Sequence, residues 1–356
     1  MAKNGNKKRR LSALDRVLLV LSVVLIGVSA GIIGYVSLMN WKPLSEVDES
    51  GNAVSIDESI QTAEENRGRV TNFLVTGIDY NTIDASAGTA RAKLTDVIMV
   101  VQLNLDTNKV DVLQIPRDTY VGTDVSSTGK INGVYGRSGL EGLAQVIYDR
   151  FQLPVDHYVN INMDGFITIV DAIGGVEINI QESFTLEGVT FQPGLQTLNG
   201  IEAEKFVRER HSRGSDVGRM NAQREFLAAL FQKFKHLSIG QITNLVPTVM
   251  ENVTTDLDVK TVLSMVEIVL GIEMEDISFH MVPGEGCYAP NGQSVWSVHI
   301  EPLLEIINES FRPYEEPLTA SDLNLVELQN TTDVYDENTS TVGDLLDGGS
   351  ESDSAQ

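Results

Sequence analysis

The chain has 356 residues, with 26 Lys and Arg against 50 Asp and Glu, one cysteine and 42% apolar residues. A formal charge of −24 excludes a general nucleic-acid binder, which needs basic surface against phosphates. The lone Cys287 excludes an intramolecular disulfide and any zinc site built on cysteines.

The charge is unevenly spread along the chain. Residues 1–16 carry Lys3, Lys7, Lys8, Arg9, Arg10 and Arg16 against Asp15, a net of +5, and predict a cytoplasmic basic tail. Val17 to Met39 follows as 23 residues without a charge, long enough to cross a hydrocarbon core as a helix. Tyr35 and Trp41 sit at its far end, where interfacial aromatics belong. The positive-inside rule then puts the N-terminus in the cytoplasm and the chain from residue 42 onward outside. A cleaved signal peptide competes, with Val28-Ser29-Ala30 as its cleavage site. The apolar run continues past that point, which favours a single-pass anchor in the cell membrane over residues 17–39. Residues 40–69 are polar and acidic and predict an extracytoplasmic spacer.

Residues 70–312 hold nearly all the periodic segments. Asn72–Thr76, Val97–Leu105 and Val110–Ile115 read as strands, the last two joined as a hairpin through Asp106-Thr107-Asn108-Lys109. Gly139–Phe151 is an amphipathic helix stopped before Pro154. His157–Ile161 and Val176–Ile180 are strands, and Phe166–Ile173 between them is a helix ended by Gly174-Gly175. Helices are predicted over 221–234, 239–253, 259–270 and 302–311, with a strand over 277–282. This alternation predicts an α/β fold with a mixed central sheet flanked by helices. Residues 313–356 carry eleven acidic side chains and no basic ones, and predict a disordered acidic tail.

Three charged residues fall at strand ends. Asp79 follows the first strand, Asp96 opens the second, and Arg117 follows the third. If these strands run up, down and up, all three residues meet at one sheet edge. Converging carboxylates attract a hard cation such as Mg²⁺, which completes its shell with phosphate oxygens and water. An arginine beside it pairs with phosphate through its planar fork. Each aspartate alone reads equally as a turn cap or a solvated strand end. Farther on, Arg208 and Arg210 share a face only where the chain is extended, so a helix from about Asn199 should end near Val207. Arg219, Gln223, Phe226, Leu230 and Phe234 form one helical stripe. The apolar members turn it inward, so Arg219 and Gln223 need a partner there. A phosphate at the helix start or a hydrogen bond to the sheet would each serve.

The residues in order resemble the LytR–CpsA–Psr family of bacterial envelope proteins. The matching stretches are Asn72–Asp79, Thr95–Met99, Ile115–Tyr120, Lys130–Asn132, Phe166–Gly175, Phe206–His211 and Asp216–Gln223. The resemblance implies a transferase that moves a glycopolymer, such as teichoic acid or capsule polysaccharide, from an undecaprenyl-pyrophosphate carrier to peptidoglycan, leaving a phosphodiester. It also implies a hydrophobic tunnel for the polyprenyl chain. By its motifs Asp79 and Asp96 would bind Mg²⁺, and Arg117, Lys130, Arg208, Arg210, Arg219 and Gln223 would contact the pyrophosphate or its surroundings. Asp79, Arg117 and Arg219 would then carry the chemistry.

One position departs from the family pattern. An arginine usually stands two residues before the second aspartate, where this chain has Leu94. Arg91 or Lys93 would supply the missing charge if the loop bends. On a regular strand, Leu94 would share the face of Asp96, with Arg91 and Lys93 on the other. Two other functions compete: a polyprenyl-pyrophosphate hydrolase, and a non-catalytic lipid-binding or wall-binding regulator. The five histidines show no metal spacing and read as core or surface residues, and Cys287 reads as an ordinary loop thiol. The stripe of Phe226, Leu227, Leu230, Phe231 and Phe234 suits both a plain core and a tunnel wall.

Overall fold

The computed structural model describes residues 54–78, 94–209, 216–331 and 339–346. The predicted basic tail and anchor over 1–39 therefore lie outside the described residues. Among the described residues no helix is long and apolar enough to cross a membrane.

A seven-stranded mixed sheet forms the frame. Its strands are β1 (Val70–Ile78), β2 (Thr95–Asn104), β3 (Lys109–Gln114), β4 (His157–Asn162), β9 (Val253–Thr255), β10 (Ile277–Met281) and β13 (Ser340–Thr341). They stand in the order β13-β10-β3-β2-β1-β4-β9. β1 pairs antiparallel with β2 and β2 with β3, as the hairpin signal predicts, whereas β1–β4 and β3–β10 are parallel. Side chains alternate across the sheet. Leu74, Ile98, Val100 and Leu113 face the long helix α1 (Asn132–Phe151) and pack with its Leu140, Leu143, Ile147 and Phe151. Met99, Leu103, Val112 and Phe279 face the other way, in a core with Ala228. That alanine belongs to α4 (Asp216–Lys235).

Helix α1 begins seven residues before the expected start. Gly139 sits inside it at φ 65°, a left-handed backbone that only glycine adopts without strain. The two glycines of Asn132–Ser138 make its first part read as loop. Helix α2 (Met163–Ala172) starts at an Asn162 cap and stops at Gly174-Gly175, both at positive φ. Helix α3 (Gly200–Arg208) opens with a reciprocal capping box between Asn199 and Glu202. Two hairpin-like pairs lie between α2 and α3: β5 (Val176–Ile180) with β8 (Gly194–Leu198), and β6 (Phe184–Leu186) with β7 (Val189–Phe191). Helices α5 (Ile239–Asn252) and α6 (Val259–Gly271) follow α4, and after β10 come β11 (Gly284–Tyr288), β12 (Ser294–Val298) and α7 (Ile300–Ile306).

Two boundaries differ from those predicted. Residues 54–69 are part of the domain, not spacer: Ile56 and Ile60 are buried in the core against α1. The Asp156 carboxylate ties them down, accepting from Thr62 N at 2.8 Å, Thr62 Oγ1 at 2.7 Å and Asn72 N at 2.7 Å. At the other end, 313–331 and 339–346 are packed rather than disordered. Leu323 is buried in the main core, and the Arg69 guanidinium lies 3.4 Å over the Tyr314 ring. β13 extends the sheet beside β10, and α8 (Val342–Leu346) buries Val342 fully. A handful of apolar side chains, spaced to reach the core, anchor a segment whose average composition is that of a solvated tail.

Candidate active site

The site is built at the edge where β2 begins and β1 and β3 end. The up, down, up order expected from the sequence is present. Gly77 pairs with Val97 but Ile78 pairs with Thr95, so Asp96 is an extra residue in β2, a β-bulge. A bulge re-aims a side chain and ends regular alternation. Asp96 there accepts a hydrogen bond from Arg117 Nη1 in an ion pair, both side chains about a quarter exposed (25% and 21%). Arg117 is held by the turn after β3, where Thr119 N donates to Pro116 O at 2.9 Å and Asn132 N to Arg117 O at 3.1 Å. The same pair of loops places Lys130 Nζ 3.2 Å from the Asp118 carboxylate. Two of the three strand-end charges thus meet. Asp79 is the third, and with Arg91, Lys93 and Arg210 it lies outside the described residues.

Cross-strand pairing puts Thr95 with Ile78 on the α1 side, and Leu94 precedes the strand. Leu94 is 41% exposed.

Opposite this edge lies the start of α4. Arg219, Gln223 and Phe226 are buried along one stripe, as the periodicity predicts. Gln223 meets the sheet: its Oε1 accepts from Gln114 Nε2 at 2.8 Å, and its Nε2 donates to Val207 O at 3.4 Å. Val207 is in the last turn of α3, which ends at Arg208, within one residue of the expected place. The Arg208 guanidinium pairs with Glu204 one turn earlier and remains 44% exposed.

Between sheet and helices is an apolar cavity of about 120 Å³. Val75, Val97 and Met99 form its floor, with Phe166, Val207, Phe226 and Leu227 around it. Gln223, Asn162 and Thr76 are its polar members. All five residues of the α4 stripe pack in the neighbouring cores, and two of them, Phe226 and Leu227, also face the cavity.

Among the described residues no three His, Cys, Asp or Glu side chains converge as a metal cluster. The Asp96 carboxylate offers oxygen at the edge, while Thr95 Oγ1 lies buried on the α1 side without a hydrogen-bond partner. Carboxylate oxygen suits a hard cation. Arg117 uses one lone pair of Asp96, and a carboxylate has about four. His280 and His157 have structural partners. His280 bridges Asp111 and Thr339 at 3.0 Å each, and His157 pairs with Asp256 at 2.9 Å, which raises its pKa above the usual imidazole value. Burial pushes the Cys287 thiol up, which keeps it protonated and unreactive. Sequence reasoning missed Gln114, because a single glutamine at a strand end carries no periodic signal.

The family model described as LytR_cpsA_psr matches residues 39–312. The chain is 31% identical over 254 residues to the polyisoprenyl-teichoic acid–peptidoglycan teichoic acid transferase TagU of Oceanobacillus iheyensis, covering 67% of this chain and 75% of that one. It is 30% identical over 268 residues to TagU of Bacillus subtilis, covering 72% and 81%. The crystal structure of Bacillus subtilis TagV superposes with a TM-score of 0.60 at 26% identity, covering 72% of this chain and 98% of that one.

Proposed function

The chain belongs to the LytR–CpsA–Psr family, and we propose that it transfers a glycopolymer from an undecaprenyl-pyrophosphate carrier to peptidoglycan. The observation that carries this reading is an apolar cavity that lies beside the sheet edge where Arg117 meets Asp96. That pairing fits an amphiphile with a hydrocarbon chain and a pyrophosphate head. Val75, Met99, Phe226 and Leu227 would hold the first isoprene units. Arg117, Arg219, Lys130 and Arg208, joined by Arg210, would surround the phosphates. In the reaction a phosphorus–oxygen bond to the carrier phosphate breaks and one to an acceptor sugar hydroxyl forms. The acceptor loses its proton, and polyprenyl phosphate leaves. Charge grows on the leaving phosphate, and fixed guanidinium groups stabilise it there without reorganising.

Asp96, with Asp79, would hold Mg²⁺, and a bound Mg²⁺ would neutralise phosphate charge in the transition state. The ion pair with Arg117 aims the Asp96 carboxylate, which prepares it for a cation. The uncharged run over 17–39 supports an anchor that holds the domain outside the membrane, next to its lipid substrate.

The test is turnover of a polyprenyl-pyrophosphate-linked glycopolymer with and without peptidoglycan. Release of polyprenyl phosphate should require the acceptor and Mg²⁺, and should yield an acid-labile glycopolymer–peptidoglycan link. Equal release without acceptor would mean a hydrolase, and no release in either case would mean a binding protein.

A further inference from the structure

We propose that Gln114 is a positioning residue that fixes the Gln223 amide with its N–H side toward the substrate phosphates. The inference rests on the reading that the head group lies beside Gln223. Gln114 ends β3 and is 2% exposed, with Met99 and Met281 as its register partners on either side. An amide in such apolar surroundings costs stability unless it is used. Its Nε2 donates to Gln223 Oε1 at 2.8 Å, and its own Oε1 has no hydrogen-bond partner. A residue serving only the core would be better as methionine. The half-satisfied amide is therefore explained by what its donor does.

The direction of the pair is read from the far end. The Val207 carbonyl can only accept, so the Gln223 Nε2 must face it. Gln223 Oε1 then faces Gln114, which donates. Gln223 is among the residues that line the apolar cavity, and its Nε2 has a second N–H beyond the Val207 bond. An N–H offered to a phosphate oxygen is a charge-assisted hydrogen bond, whereas a carbonyl oxygen in the same place would repel the anion. Without Gln114, only the longer 3.4 Å bond to Val207 O holds the Gln223 amide, which can then turn over. Gln114 thus acts on pyrophosphate through Gln223 and has no part in holding the hydrocarbon chain.

The experiment compares binding of geranylgeranyl pyrophosphate and geranylgeraniol to the detergent-solubilised full chain. The variants are Gln114→Met, Gln223→Met and the double variant. Gln114→Met should weaken pyrophosphate binding about three- to tenfold and leave the alcohol unchanged, and it should have no further effect in the Gln223→Met background. Unchanged pyrophosphate binding in Gln114→Met overturns the proposal. So does a loss that is equal for the alcohol, or one that persists beside Gln223→Met, because either marks a structural role. Wild-type pyrophosphate binding that Gln223→Met leaves intact would show that the head group lies elsewhere. That result ends the proposal while sparing the lipid reading. A wild-type chain that binds neither ligand overturns both.

Discussion

The cavity between sheet and α4 makes a prediction with opposite signs for stability and for binding. Val75 lies on the cavity floor in β1, and Val75→Phe adds four carbons that point into the empty space. An empty apolar cavity costs about 24 cal/mol per Å³, so filling all 120 Å³ would stabilise the free protein by at most about 2.9 kcal/mol. The four added carbons, at about 0.8 kcal/mol each, give about 3.2 kcal/mol by burial, a matching figure. Imperfect fit takes back about 1–3 kcal/mol. The expected net change in unfolding free energy lies between about 0 and +2 kcal/mol. The polyprenyl chain, by contrast, loses the same space. About 2.9 kcal/mol of lost burial corresponds to roughly a hundredfold weaker lipid binding. Urea unfolding measures the first quantity, and mass spectrometry of co-purifying lipid with titration of a short-chain polyprenyl pyrophosphate measures the second. A Val75→Phe variant that is as stable as wild type and binds lipid equally well would remove the cavity from the substrate path. A variant destabilised by several kcal/mol would show that the space is not available for filling.

Other expectations follow from the same residues. Asp96→Asn keeps the volume but removes the charge opposite Arg117, so Mg²⁺-dependent turnover should fall at least tenfold with unfolding unchanged within about 1 kcal/mol; equal turnover over a Mg²⁺ titration would refute a role for this carboxylate. The His157–Asp256 pair contributes stability that is fully present below pH about 6.5 and is lost as the pH rises through the higher folded pKa. Urea midpoints followed from pH 5.5 to 8.5 should therefore decline more in wild type than in Asp256→Asn, and parallel curves would contradict the assignment. Removing residues 332–356 takes away β13, the Thr339 contact to His280 and the buried Val342. It should lower the unfolding free energy by about 2 kcal/mol or more, and an unchanged midpoint would mean that the segment adds nothing.

Five of the seven strands of the sheet and most helices were legible because their signals are local. β5 alternates buried and exposed at every step, and α3 and α2 announce themselves with Asn caps. The aspartate–arginine meeting at the sheet edge followed from a short hairpin, since three consecutive antiparallel strands fix which ends coincide. Two kinds of feature escaped. Segments such as 339–346 are held by single side chains, Val342 and Leu346, and composition averaged over a whole tail hides them. Gln114 and Gln223 form a pair 109 residues apart, and nothing in either neighbourhood marks the other.

The bulge at Asp96 joins these two limits. Alternation along β2 is the rule that sequence reasoning relies on, and the Asp96 carboxylate sits where that rule stops. One inserted residue puts Asp96 outside the two-residue repeat, so its aim is set by the bulge and by Arg117 rather than by a core face. Leu94 could lose its arginine without changing how Asp96 is held, because the ion pair that orients Asp96 comes from β3's loop. The site's positive charge is thus drawn from loops and helix ends, namely Arg117, Lys130, Arg208 and Arg219. These elements can vary without disturbing the register of the sheet beneath them.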